Sequence, residues 1–225
     1  MLDFLNTSSD LSVLFMSALA LFFASFTSLF SVANPTAALP IFLSLTKGYT
    51  PGERSKTALW TTIYMMLILV TFLLVGTYIL NFFGISLAGI RIAGGLIIMR
   101  AAYSMLNPNT AGRKLSEEDE AEAREKDDIT FSPLAMPMLS GPGSIAVVIG
   151  FATQATGPTD YMVHIVSIFL VVLIAYIVLR LGPFIMNYMG TTGMNVLTRM
   201  MGFIALAISV QFILSGIARY FNIAL

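Results

Sequence analysis

The sequence predicts an all-α, polytopic membrane protein with six transmembrane helices, arranged as two inverted repeats of three spans each. Three observations favour this fold class: an apolar composition, six runs of membrane-spanning length, and residues that recur at one spacing. Of the 225 residues, 57% are hydrophobic and only 11% are charged, whereas a soluble domain carries roughly 25% charged residues. A soluble fold of this size could not bury that apolar surface, which excludes a soluble enzyme, a nucleic-acid binder and a disordered chain.

The apolar runs define the spans in chain order. A membrane helix needs about 20 residues, and lipid accepts only helices or closed barrels. Long unbroken runs favour helices, so we predict spans at residues 11–33, 58–80, 87–106, 130–151, 161–181 and 196–217. They form one transmembrane domain over residues 1–225, with repeat one at about 11–106, a linker at about 107–129 and repeat two at about 130–218.

Two apolar stretches cannot be simple spans. Residues 11–45 are nearly all apolar or small, and as one helix they would be about 52 Å long, against a hydrocarbon core of about 30 Å. We predict a break at Asn34-Pro35. The stretch 131–150 contains Pro133, Pro137 and Gly141-Pro142-Gly143, which predicts a second break because proline interrupts helical hydrogen bonds. The pattern leaves open whether these breaks are kinks or re-entrant hairpins.

Lysine and arginine predict the orientation. They concentrate between spans one and two and between spans three and four, and such connections normally face the cytoplasm. Both termini are then outside, and the acidic linker is cytoplasmic. The linker is most simply a solvated connection between the halves.

The two halves share residues at a nearly constant offset. Pro35 and Pro142 are 107 residues apart, and Arg91-x-x-Gly94 and Arg199-x-x-Gly202 are 108 apart. With three spans in each half, the second half enters the membrane from the opposite side. This is the inverted repeat that many secondary transporters use for alternating access.

Each predicted break begins a short helix. Asn34 suits an N-cap and Pro35 suits the first helical position, and the same holds for Ser140 or Gly141 before Pro142. Free amides and the helix dipole make such an end favourable for an anion. The predicted substrate-binding residues are Asn34, Pro35, Ser140, Gly141, Pro142, Gly143 and Ser144 at the breaks, together with Arg91 and Arg199.

Alternative interpretations remain for these residues. The prolines can serve packing alone, and both arginines can extend to lipid headgroups or cap backbone carbonyls. Sodium could bind hydroxyls and unwound carbonyls near Thr27, Ser28, Ser31 and Asn34. The coupling ion is therefore undetermined, and no other cofactor is indicated.

Several chemistries are disfavoured by the residue types. The chain has no cysteine and one histidine, which excludes disulfides and multi-histidine metal sites. His164 lies near the start of span five and is interpreted as an interfacial structural residue. Gly141-Pro142-Gly143-Ser144 with His164 is a weak match to a serine hydrolase, because it lacks the nucleophile-elbow pattern. We therefore predict that the protein is not an enzyme.

Two proline-containing motifs resemble those of the MarC family of bacterial inner-membrane proteins. They read NPTAALPIFLSLT from Asn34 and PLAMPMLSGPGS from Pro133, and are accompanied by RIAGG from Arg91 and RMMG from Arg199. The resemblance runs from about residue 23 to residue 216. It implies location in the bacterial inner membrane and a grouping with small neutral amino acid transporters and the lysine-exporter-like superfamily.

Three functions follow from these observations. The first is a secondary transporter that moves a small anionic or zwitterionic solute, such as a neutral amino acid, by alternating access. The second is a translocase of an anionic lipid such as undecaprenyl phosphate. The third is a non-transporting scaffold that acts through the acidic linker, and deletion of residues 113–128 would identify it. The expected partners are a small-molecule or lipid substrate and membrane lipids, with no nucleic acid. The sequence leaves a homo-oligomer open.

Overall fold

The structure is a computed structural model that describes residues 2–107 and 129–223, with side-chain environments from Phe15 onward. The described residues form helices joined by short turns, as the all-α prediction requires. Most of the acidic linker lies outside the described residues.

The first half contains four helices. Helix α1 spans Leu2–Ala33, α2 spans Pro35–Leu45, α3 spans Pro51–Phe82 and α4 spans Leu87–Leu106. The break predicted at Asn34 separates α1 from α2, and the two helices together form one candidate span.

The second half also contains four helical elements. Its first element, α5, spans Thr130–Leu139 and has wide π-type turns with extended backbone at two positions. Helix α6 spans Pro142–Gln154, α7 spans Pro158–Arg180, and α8 spans Gly182–Tyr220 with a break at Gly190. The break predicted at Gly141-Pro142 therefore separates α5 from α6.

The helices agree with the six predicted spans. Among the described residues, five helices or helix pairs are long and apolar enough to cross a membrane. The bent pair of α5 and α6, with an angle of 63° between its helices, makes a sixth when it is counted as one span. A bend of this size is compatible both with a broken span and with a re-entrant hairpin in the second half.

Several helix starts follow from local capping chemistry. At the start of α3, Thr50 Oγ1 accepts a hydrogen bond from the Glu53 amide, and the Glu53 carboxylate accepts one from the Thr50 amide. This capping box satisfies amides that the first turn leaves without helical partners. Ser86 Oγ similarly accepts from the Gly89 amide at the start of α4.

The structure is compatible with the inverted repeat. Helix starts recur at the predicted offset, since Pro51 and Pro158 are also 107 residues apart. The equivalent helices α4 and α8 pack against each other, and their contacts run antiparallel: Gly95 approaches Ile213, whereas Met105 approaches Gly202. Antiparallel packing of equivalent helices is the relation expected when the halves have opposite orientations.

Small residues allow this close packing. A Cβ at Gly95 would lie 2.6 Å from Ile213 Cγ1, and one at Gly216 would lie 3.0 Å from the Ala88 carbonyl oxygen. Membrane helices commonly approach through such residues. A Cβ at Gly216 would also lie 3.2 Å from Arg91 Cβ, so Gly216 packs against the first turns of α4 beside Arg91.

Candidate functional site

The first helix break is held by Asn34. Its backbone is left-handed (φ 40°), and its Oδ1 accepts hydrogen bonds from the Ala37 amide at 3.2 Å and Thr36 Oγ1 at 2.6 Å. Its Nδ2 lies 3.4 Å from Met105 Sδ on α4. Asn34 and Pro35 are both buried. The predicted N-cap is therefore present, and it ties the start of α2 to α4.

The second break lies beside the first. A Cβ at Gly143 would be 3.1 Å from Val32 Cγ1, three residues before Pro35. Ser144 Oγ donates to the Leu139 carbonyl oxygen at 3.0 Å across the break.

The other residues of this break differ in exposure. Gly141 and Ser140 are buried, whereas Pro142 is exposed. Ser140 Oγ is buried without a hydrogen-bond partner among the described residues. The structure thus brings the two breaks together, and binding of an anion there stays a prediction.

The two predicted arginines lie at opposite ends of the antiparallel pair α4 and α8. Arg91 is in the first turns of α4, against Gly216 near the end of α8. Arg199 lies three residues before Gly202, the residue of α8 that approaches the end of α4, and the Arg199 side chain is exposed. The structure therefore does not bring Arg91 and Arg199 into one site.

Arg91 lines a polar cavity with a volume of about 220 Å³. The cavity lies between α1, α4, α6, α7 and α8, towards the membrane face at which α4 and α7 begin. We call it the polar cavity; its polar lining consists of Ser25, Ser28, Arg91, Gln154, His164, Gln211 and Ser215.

The cavity is positively charged. Arg91 is its one charged lining residue, and among the described residues the Arg91 guanidinium has no hydrogen-bond or ion-pair partner. A guanidinium presents five N–H donors in a planar fork that matches a carboxylate. The volume lies below the roughly 300–1,000 Å³ of sites for drug-sized ligands. The charge and volume of the cavity are compatible with a small molecule that has an anionic group.

A comparison with protein families matches residues 19–221 to the description "MarC family integral membrane protein". The chain belongs to the MarC family. UPF0056 membrane proteins are similar to it over most of their length. The one from Methanocaldococcus jannaschii is 40% identical, over 87% of this chain and 95% of the relative. The one from Bacillus subtilis is 36% identical, over 88% of this chain and 94% of the relative. The one from Escherichia coli is 33% identical, over 89% of this chain and 93% of the relative. No solved structure matches the chain.

Within this MarC-family fold, the polar cavity and the helix breaks are separate places. The cavity contacts α6 at Phe151 and Gln154, near the end of that helix. Phe151 is nine residues beyond Pro142, which corresponds to about 13 Å along a helix. The free amides of the first turn of α6 therefore point away from the cavity.

Several residues of the polar cavity are not among those that the sequence predicts to bind substrate. Gln154 and Gln211 are exposed polar residues at the end of α6 and within α8. A glutamine in an apolar run is the signal that could have identified Gln211. Ser28 was considered only as a sodium ligand.

His164 is buried between helices, which its expected place near the start of span five did not predict. His164 is 1% exposed, and its ring stacks on Phe151 with centroids 4.9 Å apart. Its Nδ1 lies 3.0 Å from Ser25 Oγ on α1. His164 is therefore part of the protein interior beside the cavity. The apolar residues next to His164 in the sequence did not predict this burial, because its contacts come from Ser25 on α1 and Phe151 on α6.

Proposed function

We propose that this protein is a secondary transporter for a small solute with a carboxylate group, such as a neutral amino acid, in the cell membrane. The observation that carries the proposal is the guanidinium of Arg91, which lies in the polar cavity and has no partner in the part of the chain that the structure describes. A charge within a membrane domain is costly, and such residues commonly belong to substrate pathways. An anionic group on the solute would offset the charge of Arg91.

The rest of the lining supports an amino acid. Gln154 Nε2 donates to the Gly150 carbonyl oxygen at 3.1 Å, which leaves Gln154 Oε1 available as an acceptor. Ser28 and Gln211 add neutral polar groups, and none of the described residues that line the cavity is acidic. Neutral acceptors can bind an ammonium group while Arg91 binds the carboxylate of the same molecule.

The repeat supports alternating access. Equivalent helices that pack antiparallel would let the two halves exchange roles around one site. Arg91 lines a cavity towards one face, whereas its equivalent Arg199 is exposed towards the other. In this proposal, the opposite state would open a cavity beside Arg199. Orientation with both termini outside and location in the bacterial inner membrane are part of the proposal.

Uptake into proteoliposomes tests this function. The purified protein should increase uptake of labelled alanine, serine or glycine over protein-free vesicles. Arg91→Gln removes charge-assisted hydrogen bonds worth about 1.5–3 kcal/mol, so half-saturation should require roughly 10- to 100-fold more solute. The matched control is Arg100→Gln, which changes an exposed arginine on the same helix outside the cavity.

Two results would contradict the proposal. Equal uptake with and without protein would exclude these amino acids as substrates. Equal half-saturation in the Arg91→Gln and Arg100→Gln variants would exclude Arg91 from binding. Transfer of a labelled polyprenyl phosphate between leaflets, without amino acid uptake, would favour the lipid translocase instead.

A further inference from the structure

His164 has one nitrogen engaged and one free. Ser25 Oγ lies 2.8 Å from the Leu21 carbonyl oxygen as well as 3.0 Å from His164 Nδ1. When the single hydroxyl proton of Ser25 points to the Leu21 carbonyl, Nδ1 must donate to Ser25 Oγ. In that arrangement Nε2 carries no proton and is an acceptor.

The free nitrogen is buried without a partner. Nε2 makes no hydrogen bond among the described residues, although the side chain is only 1% exposed. Buried polar atoms nearly always have partners, and exceptions call for a specific explanation. A histidine side chain ordinarily exchanges its proton near neutral pH. His164, whose Nε2 is this buried acceptor, is one of the residues that line the cavity containing Arg91.

The charged groups around His164 come from three helices. Arg91 of α4 shares the cavity, and Arg219 lies one turn beyond the cavity residue Ser215 on α8. On α7 itself, Asp160 lies one turn before His164, and its carboxylate accepts two hydrogen bonds at 2.8 Å from Thr156.

The remaining helices around His164 contribute neutral groups. Helix α1 presents the hydroxyls of Ser25 and Ser28 to the cavity, and α6 presents Phe151 and Gln154. A proton on His164 would therefore add positive charge to a cavity that is already positive through Arg91.

A carboxylate in the cavity changes this balance. Its negative charge offsets Arg91 and favours a second positive charge nearby. By thermodynamic reciprocity, a proton on His164 then favours binding of the carboxylate to the same degree. Solute and proton would enter the cavity together.

We infer that His164 Nε2 is the proton-binding site that couples solute movement to a proton gradient, so that the protein is a proton symporter for its carboxylate solute. Nε2 forms a bond to a proton from water on the side of solute entry, and that N–H bond breaks on the other side. One proton crosses with each solute, and nothing is oxidised or reduced. This inference rests on the proposed function.

Two transport readouts separate the inference from the proposed function. Counterflow, the exchange of labelled for unlabelled alanine without any gradient, reports transport alone. Accumulation of alanine under an imposed pH gradient reports coupling. With one proton per solute, each pH unit supports about tenfold accumulation. The wild type should show both activities.

The variants then identify the proton site. His164→Gln keeps a hydrogen-bonding side chain that does not titrate. For this variant, the ratio of alanine concentration inside the vesicles to that outside should fall to about one under the pH gradient. Any counterflow that the variant retains should not depend on pH. Tyr161→Phe, one turn earlier on α7 and outside the cavity lining, should keep gradient-driven accumulation.

A measurement on the unmutated protein covers the case in which His164→Gln fails to fold. Alanine added to the detergent-solubilised wild type in weak buffer should raise the pH of the solution, because binding takes up a proton. Three results would overturn the inference. The wild type could show counterflow without gradient-driven accumulation, alanine could bind without proton uptake, or His164→Gln could accumulate alanine fully. Absence of counterflow in the wild type would instead overturn the proposed function on which it rests.

Discussion

The packing of α4 against α8 predicts that Gly95→Ala destabilises the protein. The added Cβ would lie 2.6 Å from Ile213 Cγ1 and 2.9 Å from the Ser209 carbonyl oxygen. Carbon atoms pack at about 3.5–4.0 Å, so the helices would have to separate by roughly 1 Å. One contact is with backbone, and a side-chain rotation cannot relieve it. Overpacking of this kind costs about 1–3 kcal/mol.

Thermal unfolding in detergent measures this cost. For a chain of this size, 1 kcal/mol shifts the midpoint by about 2–4 °C, so Gly95→Ala should lower it by about 2–12 °C. Size-exclusion chromatography after heating measures the fraction of protein that remains monodisperse. The temperature at which half remains is the midpoint. Gly52→Ala is the control, because a Cβ at Gly52 meets nothing within 4 Å. Equal midpoints for the two variants would refute the described packing of α4 against α8.

Substitutions at two further positions, Asn34 and Gly190, test the helix breaks by the same thermal assay. Asn34→Ala should lower the free energy of unfolding by about 0.5–2 kcal/mol, because it removes the cap of α2. Asn34→Gly should lower it less, because glycine tolerates a φ of 40°. A smaller loss of stability for alanine than for glycine would contradict this prediction. Gly190→Ala should lower the free energy of unfolding by about 1–3 kcal/mol through backbone strain at φ 63° and ψ −178°. A Cβ there meets nothing within 4 Å, so backbone strain is the only expected cause of the loss. An unchanged midpoint would contradict the described backbone angles at Gly190.

The helix breaks could be predicted because their causes are local. Pro35 and Pro142 lack an amide proton, and Asn34 is a capping residue in front of the first of them. The length of the apolar stretch added a second constraint, because one helix would exceed the membrane thickness. The proline and capping signals are visible within a few residues, and the limit on length is visible within the one apolar stretch of residues 11–45.

Helix lengths were harder to predict. Span two was expected at residues 58–80, whereas α3 covers Pro51–Phe82. Hydropathy follows the apolar middle of a helix, but hydrogen bonds at Thr50 and Glu53 determine where α3 begins. The polar first turns of α3 therefore fell outside the expected span.

The polar cavity could not be predicted, because residues from five helices form it. Arg91 and Gln211 belong to different halves of the chain, and both line the cavity because α4 and α8 pack closely against each other at glycines. His164 likewise depends on Ser25, 139 residues away. The arginine was identified because charge is rare in membrane helices, whereas its neighbours carry no such signal.

Protection of an introduced cysteine by solute tests the central claim most directly, which is that the polar cavity holds the transported carboxylate. The chain has no cysteine, so Ser28→Cys places a single thiol in the cavity. Asn81→Cys, at an exposed position near the end of α3 and outside the cavity lining, is the control. Alanine should slow modification of the Ser28→Cys thiol by a small thiol reagent and leave that of Asn81→Cys unchanged. Equal modification rates of the Ser28→Cys thiol with and without saturating alanine, serine or glycine would contradict the account.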